Sequence, residues 1–148
     1  MTKDMPYLLF VITAITLFFI RFFVSKTSTL IVNVYDTYVV ASLKDAIVLF
    51  CILFLFFGAF YWLSDNFKFS LNTVLSNIHI FGTLIFSFLF FFFNYKRVQT
   101  LNQKPVFAEI MNVVDYNSYL IFCLMAIIFL QFLFIINIFA AVLKKSDC

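Results

Sequence analysis

Charge, glycine and proline are all scarce in this sequence. Its 148 residues include ten Lys plus Arg, seven Asp plus Glu, two glycines, two prolines and one histidine. A single imidazole cannot build a metal site that wants several nitrogen ligands. There is no CxxC, no glycine-rich phosphate loop and no nucleophile–base pairing, so the common signatures of soluble catalysis are missing. Three cysteines do not make a disulfide framework. Cys51 and Cys123 fall inside apolar runs and Cys148 is the last residue, so the first two read as small packing residues. The net charge of +3 is spread along the flanks. Without a basic cluster, nucleic acid is excluded as a partner, and no soluble substrate is evident.

Apolar sequence fills the space that charge leaves. Sixty-five per cent of the residues are hydrophobic, more than a water-soluble domain of this size can hide. Several uncharged stretches reach the roughly 18 to 20 residues needed to cross about 30 Å of hydrocarbon as a helix. These runs predict an all-α integral membrane four-helix bundle, a single transmembrane domain over 1–148, with helices near 6–24, 46–63, 78–95 and 120–143. The first segment begins like a secretory signal. It is longer than a usual signal core and no small-x-small site closes it, so it is expected to be a retained helix. Pro6 suits a helix start, and Arg21 can snorkel to the head groups. Between the first two helices, residues 25–45 form a short extramembrane segment. The β-branched residues and tyrosines from Leu30 to Val40 favour a partly extended path there. Ser64 to Asn77 and Lys96 to Tyr119 are expected to be polar connections, and Lys144-Lys145 a membrane-edge anchor.

Small and polar residues mark the faces on which these helices meet. Lys44, Cys51 and Gly58 recur at seven-residue spacing and share one face. On the third helix His79, Gly82, Thr83, Phe86 and Ser87 form a stripe at i, i+3, i+4, i+7 and i+8. On the fourth, Cys123, Ala126, Ile127, Leu130 and Gln131 share a face. Gln131 and Asn137 are polar groups in mid-membrane that need partners. Tyr61 and Trp62 read as an interfacial aromatic belt, and Asp36, Lys44 and Asp45 as a structural ion-pair group at a helix entrance. His79 is a weak cofactor-binding candidate and more readily a hydrogen-bonded residue of the interior.

The run Asp36-Thr37-Tyr38-Val39-Val40-Ala41 resembles the Asp-Thr-Tyr-Tyr-Val-Val-Ala-His-Phe-His run of haem-copper (cytochrome c) oxidase subunit I, which opens the tenth of twelve transmembrane helices there. With one residue dropped after Tyr38, Gly58 and Trp62 fall on the family's Gly and its His-Trp pair. Leu71-Asn72 and Ile78-His79 then coincide with its Leu-Asn and Ile-His without a gap. Asp115-Tyr116 and a last helix ending in Lys-Lys are also similar, although the loop between is longer here. The resemblance covers roughly residues 33–145, and the first helix has no evident counterpart. In that family the two histidines of the run bind haem iron. The matching places here are Ser42 and Lys44, or Leu43 and Asp45 without the gap, and none is a normal replacement ligand. The position that His79 matches is, as the resemblance implies, not a metal ligand.

These readings imply a non-catalytic small membrane protein related to oxidase subunit I. It would be an accessory component of the inner cell membrane, with the lipid bilayer and other membrane subunits or copies of itself as partners. Neither catalytic residue nor cofactor nor metal is expected. The alternatives are a cofactor-binding redox or sensor protein using His79, or a small ion or proton transporter using Asp36, Lys44, Asp45, Gln131 and Asn137. Counting flanking charges leans by two residues towards both termini outside. The resemblance implies the reverse orientation, which is the one expected here.

Overall fold

The computed structural model describes residues 6–34, 37–103 and 115–146. Within them the chain runs as α1 (Pro6–Phe23), β1 (Thr29–Val34), β2 (Thr37–Ser42), α2 (Leu43–Asn66), α3 (Thr73–Gln103) and α4 (Tyr116–Ser146). Three of the four helices are long and apolar enough to cross a membrane: α2, residues Thr73–Thr100 of α3, and Tyr116–Lys144 of α4. The 18 residues of α1 give about 27 Å at 1.5 Å per residue, slightly less than the hydrocarbon thickness.

Each helix pairs with its neighbour in sequence, antiparallel. α1 lies on α2, where Gly58 meets Tyr7 and Val11 and the Cys51 thiol donates to the Ala14 carbonyl at 3.4 Å. α3 lies on α4, where Gly82 sits against Leu130 and the Phe93 ring stacks on Tyr119. The two pairs meet through rings. Phe50 of α2 stacks on Phe90 of α3 at 5.6 Å between centroids, and Phe57 of α2 packs edge-on against Phe134 of α4 at 5.3 Å. The outward faces stay apolar and exposed, as at Ile12, Phe88 and Phe129, which is what hydrocarbon solvent requires.

Residues 29–34 and 37–42 form an antiparallel hairpin in the register Thr29↔Ser42 to Val34↔Thr37. Leu30 and Val32 point inward and are buried, as a half-buried strand of period two demands. Main-chain groups of β1 are the anchor. Asn117, in the first turn of α4, accepts from the Asn33 N–H and donates to the Asn33 carbonyl, both at 2.7 Å. Arg97 of α3 donates to the Ile31 carbonyl, and the first N–H of α2, at Leu43, donates to the Ser28 carbonyl at 3.0 Å. The hairpin is thus tied to α2, α3 and α4.

α1 keeps close to its expected limits, whereas the other three helices extend past those that hydropathy marks. α3 begins at Thr73 rather than 78 and continues to Gln103 rather than stopping at 95, α2 spans 43–66 rather than 46–63, and α4 spans 116–146 rather than 120–143. Apolar runs locate the part suited to lipid, whereas helical hydrogen bonding continues into polar flanks until a cap stops it. The stop of α2 is such a cap. Lys68 adopts φ 54°, its N–H donates to the Asp65 carbonyl, and the Phe69 N–H donates to that of Ser64. This double closure normally selects glycine at the left-handed position. Lys68→Gly should therefore raise stability by about 1 kcal/mol, the cost of a left-handed β-carbon. A thermal melt in detergent checks this, and an unchanged or lower midpoint would contradict it.

α4 starts on Asp115, whose carboxylate accepts from the Asn117 N–H at 3.1 Å and from the Ser118 hydroxyl. The Ser118 hydroxyl, helped by the N–H groups of Asn117 and Ser118 and by the charge of Arg97, holds this carboxyl below its usual range. A depressed carboxyl contributes stability above its unfolded value and loses it as pH falls through the folded one. Amide exchange in the first turn of α4 should accelerate on acidification, and Asp115→Asn should flatten that dependence; identical pH profiles would contradict the cap.

Candidate functional site

His79 lies where three helices converge, and its side chain is fully buried. It sits on α3 two turns above the Asn72 cap, so its imidazole points between α2 and α4. The Tyr61 hydroxyl of α2 is 3.1 Å from Nδ1, and Oε1 of Gln131 on α4 is 3.0 Å from Nε2. The Gln131 side-chain N–H₂ donates to the Ile127 carbonyl at 2.7 Å, which leaves Oε1 as the acceptor. Nε2 must then carry the proton and donate, and Nδ1 accepts from Tyr61 O–H. The three residues form one directed relay, Tyr61 to His79 to Gln131, with no free ring nitrogen. Aromatic rings enclose it. Phe134 stacks on the imidazole at 4.6 Å, Phe57 lies edge-on at 5.0 Å and Phe10 of α1 is at 5.8 Å.

A second polar cluster lies at the start of α3. Asn72 caps that helix by accepting from the Val74 and Leu75 N–H groups at 2.9 and 3.3 Å. Asn137 of α4 grips the same turn. Its Oδ1 accepts from the Asn72 N–H at 2.9 Å, and its Nδ2 donates to the Asn72 carbonyl at 3.3 Å and to the Ser76 hydroxyl at 3.0 Å. All polar atoms of the amide are engaged, which offsets its removal from water.

The residues singled out in the sequence divide as follows. Cys51 and Gly58 face α1, and Gly82 faces α4. Thr83 and Ser87 are buried on α3. Ser87 donates to the Thr83 carbonyl at 2.6 Å, while the Thr83 hydroxyl has no hydrogen-bond partner among the described residues. Lys44 is half-buried and Asp45 exposed in the first turn of α2, and no ion pair joins them. Asp45 is instead favourably placed at the positive end of that helix. Asp36 lies outside the described residues. Thr37 to Ser42 is strand β2, and Ser42 occupies the N-cap position of α2.

Tyr61 is the main departure from the sequence reading. It was expected in an interfacial belt with Trp62, but it is 2% exposed against 49% for Trp62. A signal for this existed in its place three residues after Gly58 on the inward face. Arg97 and Asn117 carried no signal, because their partners are main-chain groups distant in sequence; Ser76 bonds the side chain of the distant Asn137, and Asn72 is a local cap.

Among the described residues no group of three or more His, Cys, Asp and Glu side chains converges on a metal-sized site. No family model, curated protein or solved structure matches the chain.

Proposed function

We propose that this chain is a non-catalytic integral membrane protein of the inner cell membrane, crossing it as one bundle of four helices. It acts by packing against other membrane subunits, as a shortened relative of oxidase subunit I without haem ligands would. The observation that carries this reading is the relay through His79. Both nitrogens of the one imidazole are committed to Tyr61 and Gln131, so the residue best suited to ligate or move protons is engaged in holding α2, α3 and α4 together. Asn137 is likewise committed to the cap of α3. Two of the groups on which a transporter would depend therefore join helices instead of lining a path. The large exposed side chains on α1, α3 and α4 suit lipid or apolar helices of a partner.

Purification of a tagged copy from its native membrane in mild detergent, followed by mass spectrometry, tests the proposal. Reproducible, stoichiometric recovery of an integral membrane subunit is expected. Recovery as a lone chain, or an absorption spectrum with a haem band, would overturn it.

A further inference from the structure

We infer that the cleft between α1 and α3, beneath the β-hairpin, binds an anionic phospholipid, with the phosphate at Arg97 and Asn94 and one acyl chain lying between the two helices. α1 and α3 approach one another at Phe10 and His79 and diverge towards the hairpin, leaving a partly open cavity of about 1010 Å³. That volume lies at the upper end of the range for small-molecule sites, roughly 300–1,000 Å³. Its walls are Leu17 and Ile20 of α1 and Leu84, Phe88 and Phe91 of α3, with Phe54 of α2 as its floor. Such a lining suits a hydrocarbon chain.

The polar end is built from two side chains on α3. Asn94 lines the cavity with its residue only 3% exposed, and its side-chain amide is not among the buried polar atoms sealed off without a partner, so it faces the cavity with donors and an acceptor open to a ligand. Arg97 lines the same end and donates to the Ile31 carbonyl, which uses one of five guanidinium donors and none of its charge. No ion pair neutralises it among the described residues. The carboxylate whose charge reaches Arg97, that of Asp115, is turned to Ser118 and the Asn117 N–H. A phosphate with net negative charge supplies what both residues lack. The spacing of Asn94 and Arg97, three residues apart, puts them on one face.

The inference rests on the membrane reading above, and its test separates the two. The full chain is reconstituted in nanodiscs of equimolar phosphatidylglycerol and phosphatidylcholine, extracted in mild detergent, and its retained lipid weighed by native mass spectrometry. Phosphatidylglycerol should be enriched about fivefold, the factor expected from one basic side chain acting on an anionic headgroup. Arg97→Gln should abolish the enrichment. So should Thr16→Phe, which fills the cleft from α1 and leaves the charge in place; the Thr16 hydroxyl bonds only its own helix, at Ile12, so this variant should still fold. An inserted chain with no lipid preference, or a preference that survives Thr16→Phe, would overturn the cleft assignment alone. A chain that fails to enter the discs would overturn the membrane reading itself.

Discussion

Replacing His79 by leucine should destabilise the protein by about 2–4 kcal/mol. The substitution orphans Oε1 of Gln131 in a buried site and leaves the Tyr61 hydroxyl with Ser76 as its remaining partner, and an orphaned buried group costs about 1–3 kcal/mol. Interhelical hydrogen bonds within membranes average only about 0.6 kcal/mol, which argues for the lower half of that range. The loss of the ring stack with Phe134 adds to it. Removing all three polar groups together should cost less than removing the central one, because no orphan remains. Titration of folded chain with a denaturing detergent would compare His79→Leu with the triple variant Tyr61→Phe, His79→Leu, Gln131→Leu. A triple variant weaker than the single by the sum of three independent losses would show that the relay is not one unit.

Gly58→Leu should detach α1 from α2. A β-carbon at Gly58 would lie 3.3 Å from Val11 Cγ2, 3.5 Å from the Tyr7 carbonyl oxygen and 3.6 Å from Phe10 Cβ. A single methyl asks only for a small shift of Val11, so Gly58→Ala should be mild. A leucine must displace the α1 backbone at Tyr7, and overpacking of this kind costs about 1–3 kcal/mol. Gly82 differs in character. A β-carbon there meets both terminal methyls of Leu130 at 2.9 Å, closer than at Gly58 but against a side chain that can rotate. Gly82→Ala should therefore cost less than its shorter distance suggests. Thiol labelling reads the first effect directly. Cys51, whose thiol bonds the Ala14 carbonyl, should react faster in Gly58→Leu, while Cys123, buried on α4, should not. Equal acceleration at both cysteines would mean general unfolding rather than release of α1.

Much of this architecture was legible in the residues, and the reasons differ from element to element. The apolar runs announced four helices, three of them long and apolar enough to cross a membrane, because a lipid-facing helix must be apolar around most of its circumference. The β-branched run before the second helix marked the extended segment that pairs as β1 and β2. The ends of α2, α3 and α4 were not legible, unlike the start of α1 at Pro6. The chain has only two glycines, both inside helices, so the stop of α2 falls on Lys68, a residue that gives no such warning. The start of α3 depends on Asn72 and on Asn137, 65 residues away. For the site, His79, Gln131 and Asn137 stood out as polar groups in apolar surroundings, but their partners did not. Tyr61 beside Trp62 suggested the membrane surface, although its spacing from Gly58 puts it on the inward face, and Trp62 is left outside. Asn94 gave no signal near the end of the third helix, and Arg97 fell in the polar connection expected from Lys96 to Tyr119. Continuation of α3 to Gln103 places them under the hairpin instead.

The one histidine is locked between two neighbours as an element of structure. ¹⁵N nuclear magnetic resonance of the imidazole in the full chain tests it most directly, since no other histidine contributes signal. At neutral pH a single neutral tautomer is expected, protonated at Nε2 and accepting at Nδ1, with the Nδ1 signal altered by Tyr61→Phe and the Nε2 signal by Gln131→Leu. A ring protonated at Nδ1, a pair of exchanging tautomers, or a nitrogen shifted by bound metal would contradict it.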